Sequence, residues 1–152
     1  MEVMRRIGLD TNVFMAVFLD ESNRVEASAT LLRLIMNGTI ESVVGSITLV
    51  EIATLFMQRG EDQKARKALG LVRNLPNTTI VDLTPDMALN IAELKVSEKL
   101  SIADAAVLAA ATELHADAFV TYDEDFKKVK RIPCMRPDTY LLSLGESEKA
   151  DE

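Results

Sequence analysis

Near its start the chain reads Arg5-Arg6-Ile7-Gly8-Leu9-Asp10-Thr11-Asn12, a short apolar run that ends at an acid and two small polar residues. This order predicts a buried β-strand that ends at Asp10, followed by a short apolar helix to about residue 19 with Asn12 as its N-cap. An unpaired carboxylate at the edge of a core is costly, so Asp10 needs partners. Three later acids, Glu51, Asp104 and Asp123, occupy comparable positions, and we expect them to converge on Asp10.

The composition is that of one soluble globular domain. The chain has 152 residues, of which 48% are hydrophobic and 27% are charged. No apolar run approaches the roughly 20 residues of a membrane helix, and no signal peptide is recognisable. The single cysteine, Cys134, offers neither an internal disulfide nor zinc-ligand spacing. We therefore expect a cytoplasmic protein without membrane contact, with one domain over residues 1–144 and a disordered polar tail over residues 145–152.

The charge balance is acidic, with 17 basic against 24 acidic residues and a net charge of −7. Proteins that bind nucleic acid usually present a basic face, so this balance alone argues against that class. A cluster of acids that holds divalent cations would reverse the local sign of the charge. The net charge therefore does not exclude nucleic acid.

Strands and helices alternate along the sequence. Three helix starts resemble capping boxes, Asn23-x-x-Glu26, Thr48-x-x-Glu51 and Ser101-x-x-Asp104. Such alternation predicts a three-layer α/β/α sandwich around a central parallel sheet of four to five strands. The predicted strands after the first cover residues 40–45, 78–83, 118–121 and a short edge strand at 132–135, and the last helix covers residues 137–144.

The four acids are predicted to meet at one edge of this sheet. Asp10 and Asp123 each follow a strand, and the helix that carries Glu51 leaves a strand at the same edge. The helix of Asp104 follows another helix, so its position is less constrained. In open α/β sheets, ligands bind outside the carboxyl ends of the strands. A set of oxygen ligands suits Mg²⁺ or Mn²⁺ better than zinc.

Each acid also has an ordinary structural interpretation. Glu51 and Asp104 fit capping boxes, Asp123 could cap a turn over residues 124–128, and Asp10 could cap the first helix. Taken singly, each is more often a cap than a ligand. Four independent caps in this order would be a considerable coincidence, so the joint pattern favours a site.

The same motifs carry a resemblance to PIN-domain ribonucleases, and by size to the VapC-type toxin branch. They are Leu9-Asp10-Thr11-Asn12, Glu51 in residues 47–52, Ser101-Ile102-Ala103-Asp104-Ala105 and residues 120–126 around Asp123. The resemblance implies an Mg²⁺- or Mn²⁺-dependent endoribonuclease that cleaves single-stranded or looped RNA through a metal-activated water. It also implies a small antitoxin as partner. The implied catalytic and metal-binding positions are Asp10, Glu51, Asp104 and Asp123, with Asp125 as a further metal ligand and Thr11, Asn12 and Thr121 in support.

Two surface features complete the sequence-based hypotheses. The basic run Lys127, Lys128, Lys130 and Arg131 is either a solvated face or a rim that steers RNA phosphates. The early helices carry more apolar residues than one face of a small sheet needs, which predicts a homodimer. Those residues are Val13, Phe14, Val17, Phe18, Leu31, Leu34 and Ile35.

Two other functional classes remain as alternatives to the nuclease. A catalytically silent PIN-like module that binds protein or RNA is disfavoured because no motif acid is missing. A receiver domain needs an acid pair near the first strand and a lysine after the last, and an Asp-x-Asp phosphatase needs a second aspartate where Asn12 stands. Neither of these patterns fits the chain.

Overall fold

The computed structural model describes residues 5–150, with side chains described as far as Gly145. Its centre is a sheet of five strands, all parallel, in the order β3-β2-β1-β4-β5. Helices cover both faces, so the predicted three-layer α/β/α architecture is confirmed. The strands are β1 (Arg5–Leu9), β2 (Ile40–Gly45), β3 (Thr78–Val81), β4 (Ala118–Val120) and β5 (Cys134–Met135).

Seven α-helices and two short 3-10 turns connect the strands in the described part of the chain. The 3-10 turns are Pro85–Met87 and Glu124–Lys128. No helix within residues 5–150 combines the length and the apolarity that a membrane crossing requires. The helices are α1 (Thr11–Phe18), α2 (Val25–Met36), α3 (Ser46–Gln58), α4 (Asp62–Arg73), α5 (Ala88–Ser97), α6 (Ile102–Glu113) and α7 (Pro137–Ala150).

The two faces of the sheet have separate cores, because successive side chains of a strand point to opposite faces. Ile7 and Leu9 of β1 enter the core that α1 to α4 cover, together with Phe14. Phe119 of β4 enters the opposite core, which α5 and α6 cover, and its ring lies 4.9 Å from that of Phe126. The alternation along β1 and β4 thus fixes which side each helix packs against.

Helix α6 lies unusually close to the sheet, which explains why it is rich in alanine. A Cβ atom built onto Gly8 of β1 would be only 2.5 Å from the Cβ of Ala111. A Cβ on Gly45 of β2 would be 3.2 Å from the Cβ of Ala110. Glycine on the strands and alanine on the helix therefore permit an approach that larger side chains would prevent, and this approach sets the position of Asp104 at the start of α6.

The helix starts differ from the prediction at three places. Asp10, and not Asn12, is the N-cap of α1, since the backbone N–H of Thr11 donates to Asp10 Oδ1 at 2.8 Å. The N-cap of α2 is Arg24, and the predicted box at Asn23 makes no side-chain cap bond. Helix α3 begins directly after β2, at Ser46, so Thr48 lies inside the helix and its predicted box with Glu51 is wrong.

Two other predicted caps, at Ser101 and Asp123, are confirmed. The N–H of Asp104 donates to Ser101 Oγ at 3.1 Å at the start of α6. The N–H of Asp125 donates to Asp123 Oδ1 at 2.9 Å and starts the turn Glu124–Lys128. Two acids of the predicted site thus sit at N-termini whose caps the sequence identified.

The last helix is longer than predicted. Helix α7 continues from Pro137 to Ala150 instead of ending at residue 144. The backbone of residues 145–150 thus belongs to α7, the disorder of the tail stays a prediction, and the final two residues lie outside the described part.

The apolar residues that suggested a homodimer belong largely to the core of the protomer itself. Val13, Phe14, Leu31 and Ile35 are each at most 2% exposed. Val17, Phe18 and Leu34 are partly buried. These apolar side chains fill the space between α1, α2 and the sheet. They therefore do not support a homodimer.

Candidate active site

The predicted acids lie at the carboxyl edge of the sheet, where three adjacent strands end. Asp10 follows β1, and Asp123 comes shortly after β4. Glu51 lies in the second turn of α3, which leaves β2 without an intervening loop. Because β2, β1 and β4 are neighbours in the sheet, their carboxyl ends place these acids on one rim.

Asp10 is the most enclosed of these acids, with 6% of its surface exposed. Burial raises its pKa from 3.8 to about 6, even though hydrogen bonds from Thr121 and the Thr11 N–H act in the opposite direction. The negative charges of Glu51 and Asp104 raise the pKa further. Desolvation is the larger effect here, so this carboxylate is costly to ionise unless a cation is present.

A network around the hydroxyl of Thr121 holds Asp10 in place. Thr121 Oγ1 donates to Asp10 Oδ2 at 2.7 Å and accepts from the Asp123 N–H at 2.9 Å. Asn12 Nδ2 also donates to Thr121 Oγ1 at 3.2 Å, while Asn12 Oδ1 accepts from the Tyr122 N–H at 3.0 Å. The hydroxyl therefore uses its donor and both of its acceptor positions. Asn12 and Thr121 tie the end of β4 to the end of β1.

Glu51 reaches the same network from α3. Thr11 Oγ1 donates to Glu51 Oε1 at 2.9 Å, so Thr11 links Glu51 to Asp10 through its side chain and its backbone N–H. Partial burial raises the pKa of Glu51, the bond from Thr11 lowers it, and the charge of Asp104 raises it. Glu51 faces other carboxylates and caps no helix.

Asp104, Asp123 and Asp125 form a second group, which we call the aspartate cluster. One carboxylate oxygen from each lies within 4.8 Å of the others. Burial raises the pKa of Asp104, the bond to Ser101 lowers it, and the charges of Asp123 and Asp125 raise it further. None of the five acids forms an ion pair with a cation among the side chains that the structure describes.

The five acids suit a hard divalent cation. The donors are carboxylate oxygens, the type that Mg²⁺ and Mn²⁺ prefer, and histidine and cysteine are absent from the cluster. The cluster oxygens are close enough to share one ion, and the pKa values of Asp10, Glu51 and Asp104 are raised mainly by burial and further by the charges of neighbouring carboxylates. The residues present therefore fit a metal of this class.

The predicted basic run does not form one rim. Lys127 pairs with Glu124, and Lys128 Nζ donates to the carbonyl of Lys99 at 2.7 Å. The charge of Lys128 also lowers the pKa of Asp104, although less than the Ser101 bond does. Beyond this point, the backbone N–H groups of Lys130 and Arg131 donate to the carboxylate of Glu98.

Arg131 lies away from the acids. It lines a surface cavity of about 550 Å³ beside His115, near the amino end of β5. His115 follows the end of α6 in a left-handed conformation, with φ of 54°. Only the first half of the basic run is therefore near the acidic rim.

The sequence-based reasoning missed Tyr122 and the two arginines beside it. The Tyr122 hydroxyl is 2.8 Å from Ser28 Oγ and donates to the Arg24 carbonyl at 2.9 Å. The guanidinium carbons of Arg24 and Arg136 lie 4.6 and 5.1 Å from the centre of its ring. The only sequence signal was the place of Tyr122 between Thr121 and Asp123.

The sequence model of the PIN domain matches residues 7–132. The chain belongs to the PIN domain family. No curated protein sequence matches it. The matched range contains all five acids and three of the five strands in full.

Solved structures agree with this assignment at the level of the fold. VapBC2 from Rickettsia felis, bound to a promoter DNA fragment, has a TM-score of 0.67 and 16% identity over 86% of this chain and 97% of that chain. A toxin–antitoxin complex from Klebsiella pneumoniae has a TM-score of 0.63 and 21% identity, covering 88% and 97% of the two chains. VapC20 from Mycobacterium tuberculosis, a toxin that cleaves the sarcin-ricin loop, has a TM-score of 0.63 and 20% identity, covering 79% and 92%.

Proposed function

We propose that this PIN-domain protein is an Mg²⁺- or Mn²⁺-dependent endoribonuclease and the toxin of a toxin–antitoxin pair, acting in the cytoplasm. The observation that carries the proposal is the aspartate cluster, whose three oxygens lie within 4.8 Å of one another, and whose Asp104 also interacts with the charges of Asp10 and Glu51. Such a concentration of unpaired carboxylates destabilises the protein unless a cation offsets it.

In this mechanism Asp104, Asp123 and Asp125 hold the metal, and Asp10 and Glu51 complete the ring of negative charge. Thr11 fixes the positions of Asp10 and Glu51, while Asn12 and Thr121 fix Asp10 against the end of β4. When bound, the metal supplies Lewis-acid chemistry at a phosphodiester. The side chains of Lys127 and Lys128 lie at this edge and are the members of the basic run that we propose to contact RNA.

A substitution at Asp104 tests the catalytic role. Asp104→Asn keeps the size of the side chain and its N–H bond to Ser101, but it removes one charge from the cluster. We expect RNA cleavage to fall by at least about a hundredfold, the scale on which loss of a partner in a metal site affects activity. The circular-dichroism spectrum should not change.

The control is Asp86→Asn, which alters an exposed acid in the turn Pro85–Met87 and should leave cleavage intact. Excess chelator should stop cleavage by the unmodified protein, and Mg²⁺ or Mn²⁺ should restore it. Undiminished cleavage in chelator, or by Asp104→Asn, would contradict the proposal.

We propose that the antitoxin binds an apolar groove. The groove has a volume of about 490 Å³ and lies between α1, α2 and α4, where Phe14, Phe18, Leu32, Met36 and Leu71 line it. Antitoxins of this kind are small, and an arginine on such a partner could neutralise the acids. The test starts from the gene immediately upstream. A short open reading frame there whose product inhibits cleavage would support the toxin assignment, and a product that neither binds nor inhibits would contradict it.

We keep the homodimer as a proposal, now on a different surface. Leu89 and Val96 of α5 are 72% and 78% exposed, and their spacing of two helical turns puts them on one face. Light scattering should show a dimer at micromolar concentration, and Leu89→Lys combined with Val96→Lys should give a monomer. A monomeric unmodified protein would refute the dimer.

A further inference from the structure

Tyr122 brings two arginines together beside the acidic rim. Its ring is buried, with 4% exposed, while the side chains of Arg24 and Arg136 are 38% and 41% exposed. Arg24 immediately precedes α2, and Arg136 immediately follows β5. Contact with one aromatic face is an attractive position for a guanidinium, and it limits the freedom of a long side chain. Tyr122 therefore holds both cations near one place.

Each guanidinium keeps hydrogen-bond donors available. Arg24 approaches Glu21 only at 4.0 Å, the limit of an ion pair. Arg136 bonds Asp138 through Nε at 3.2 Å, and its Nη groups have no hydrogen-bond partner among the described side chains. A planar guanidinium with free N–H groups matches the oxygens of a phosphate. Both arginines can therefore bind an anion without losing the contact with Tyr122.

The pair lies next to the acids. Tyr122 stands between Thr121, which bonds Asp10, and Asp123 of the aspartate cluster. Strand β5, which leads into Arg136, pairs with β4 and ends at the same edge of the sheet. A polyanion at the acidic rim would therefore extend past these two cations.

We propose that Arg24 and Arg136 form a phosphate-binding pair, positioned by Tyr122, that holds the RNA backbone on the α2 and α7 side of the acidic site. The inference rests on the proposed ribonuclease function and names the residues through which the substrate is held. A protein of net charge −7 needs local cations to bind RNA. The basic run predicted from sequence supplies fewer of them than expected, because Arg131 lines a cavity away from the acids.

The competing explanation is structural. The two arginines could serve only to fasten α2 and α7 to the end of β4 through cation–π contacts. In that case their loss would lower the melting temperature and leave the affinity for RNA unchanged. Affinity and its dependence on salt separate the two explanations, because a phosphate contact releases counterions and a structural contact does not.

The experiment measures binding of a fluorescein-labelled, random-sequence single-stranded RNA by anisotropy, in Mg²⁺, across a series of salt concentrations. All proteins carry Asp104→Asn so that the RNA is not consumed. The test variant combines Arg24→Gln with Arg136→Gln. The matched control combines Arg33→Gln with Arg73→Gln, which removes the same charge from the last turns of α2 and α4, where the chain leads into the amino ends of β2 and β3.

We expect the test variant to raise Kd by about tenfold for each arginine lost. It should also reduce the slope of log K against log salt by about 0.7 for each lost contact. The control should bind like the parent protein. Equal weakening in the two double variants would overturn the proposal, as would an unchanged Kd with a lower melting temperature.

Failure of the inference differs from failure of the proposed function. If the parent protein binds RNA and the protein with Asp104 intact cleaves it, but the arginine variant binds normally, only the phosphate-binding pair is wrong. If the parent binds no RNA and the protein with Asp104 intact cleaves none, the ribonuclease proposal is wrong and the inference fails with it.

Discussion

Asp10 should make the metal-free protein less stable as the pH rises. Burial raises its pKa from 3.8 to about 6 in the folded protein. Between these two values the folded state binds more protons than the unfolded state, so the free energy of unfolding falls with increasing pH. The contribution is fully present below about pH 4 and is lost as the pH passes through about 6.

The size of this effect follows from the two pKa values. At 1.36 kcal/mol per pKa unit, the difference between about 6 and 3.8 corresponds to about 3 kcal/mol. Below about pH 5 the exposed carboxylates of the chain also titrate, so the comparison starts at about pH 5. Between about pH 5 and pH 8, the contribution of Asp10 to the free energy of unfolding changes by about 1.4 kcal/mol. This change is measurable for a domain whose total stability is typically about 5–15 kcal/mol.

The perturbation is Asp10→Asn, and the slope against pH is the quantity to compare. An asparagine cannot accept from both the Thr11 N–H and the Thr121 hydroxyl, so one donor would face its NH₂ group. That conflict costs about 1–3 kcal/mol at every pH and obscures a comparison at one pH. The slope of the free energy of unfolding against pH does not contain this cost, because the cost is the same at every pH.

The assay is urea unfolding in excess chelator at a series of pH values, with Asp86→Asn as the control for loss of an exposed acid. Between about pH 5 and pH 8, the free energy of unfolding should fall by about 1.4 kcal/mol less in Asp10→Asn than in the unmodified protein. Saturating Mg²⁺ should reduce the difference, because the metal binds only the ionised form. Parallel curves for the unmodified protein and Asp10→Asn in chelator would refute the reasoning.

Two further substitutions give direct tests of the site and of the packing beneath it. When Mg²⁺ or Mn²⁺ is added, the melting temperature of Glu51→Gln should rise less than that of the unmodified protein, because a ligand that binds only the folded state stabilises it. The control, the exposed Glu93→Gln, should rise as much as the unmodified protein. An equal rise for Glu51→Gln and the unmodified protein would mean that Glu51 does not bind the metal. Gly8→Ala should cost about 1–3 kcal/mol in urea unfolding, because its Cβ would lie 2.5 Å from that of Ala111. The control is Gly70→Ala, which has no atom within 4 Å of the new Cβ and should stabilise α4 by about 0.5–1 kcal/mol. If Gly8→Ala left the free energy of unfolding unchanged, the close packing of α6 on the sheet would be contradicted.

The fold was predictable because its main signals are local. Alternating strands and helices determine a parallel sheet with few alternatives, and the acid after the first strand marks the edge at which that strand ends. The caps at Ser101 and Asp123 were also predictable, since each lies at a clear break between elements. These local features were sufficient to place most of the acids on one rim.

Features that depend on contacts between distant segments were not predictable. Thr48 resembled a cap, but α3 leaves β2 without a loop and places this residue inside the helix, where its hydroxyl has no hydrogen-bond partner in the described structure. Asn12 resembled a cap as well, but its amide bonds the end of β4, more than a hundred residues away. Arg24 and Arg136 come together only through Tyr122, and no sequence spacing relates them.

For Asp10 and Asp123, the roles of helix cap and site residue, between which the sequence left a choice, are held by the same side chain. Asp10 caps α1 through Oδ1 while Oδ2 accepts from Thr121, and Asp123 starts its turn through Oδ1 while its carboxylate also belongs to the aspartate cluster. Hydrogen bonds to both oxygens fix the orientation of Asp10, and the bond to Oδ1 fixes that of Asp123. The N-terminus of a helix also carries partial positive charge, which offsets part of the repulsion among neighbouring carboxylates. A cap at Asp10 or Asp123 is therefore evidence for the site, because it helps the folded chain to hold several acids together before a metal binds.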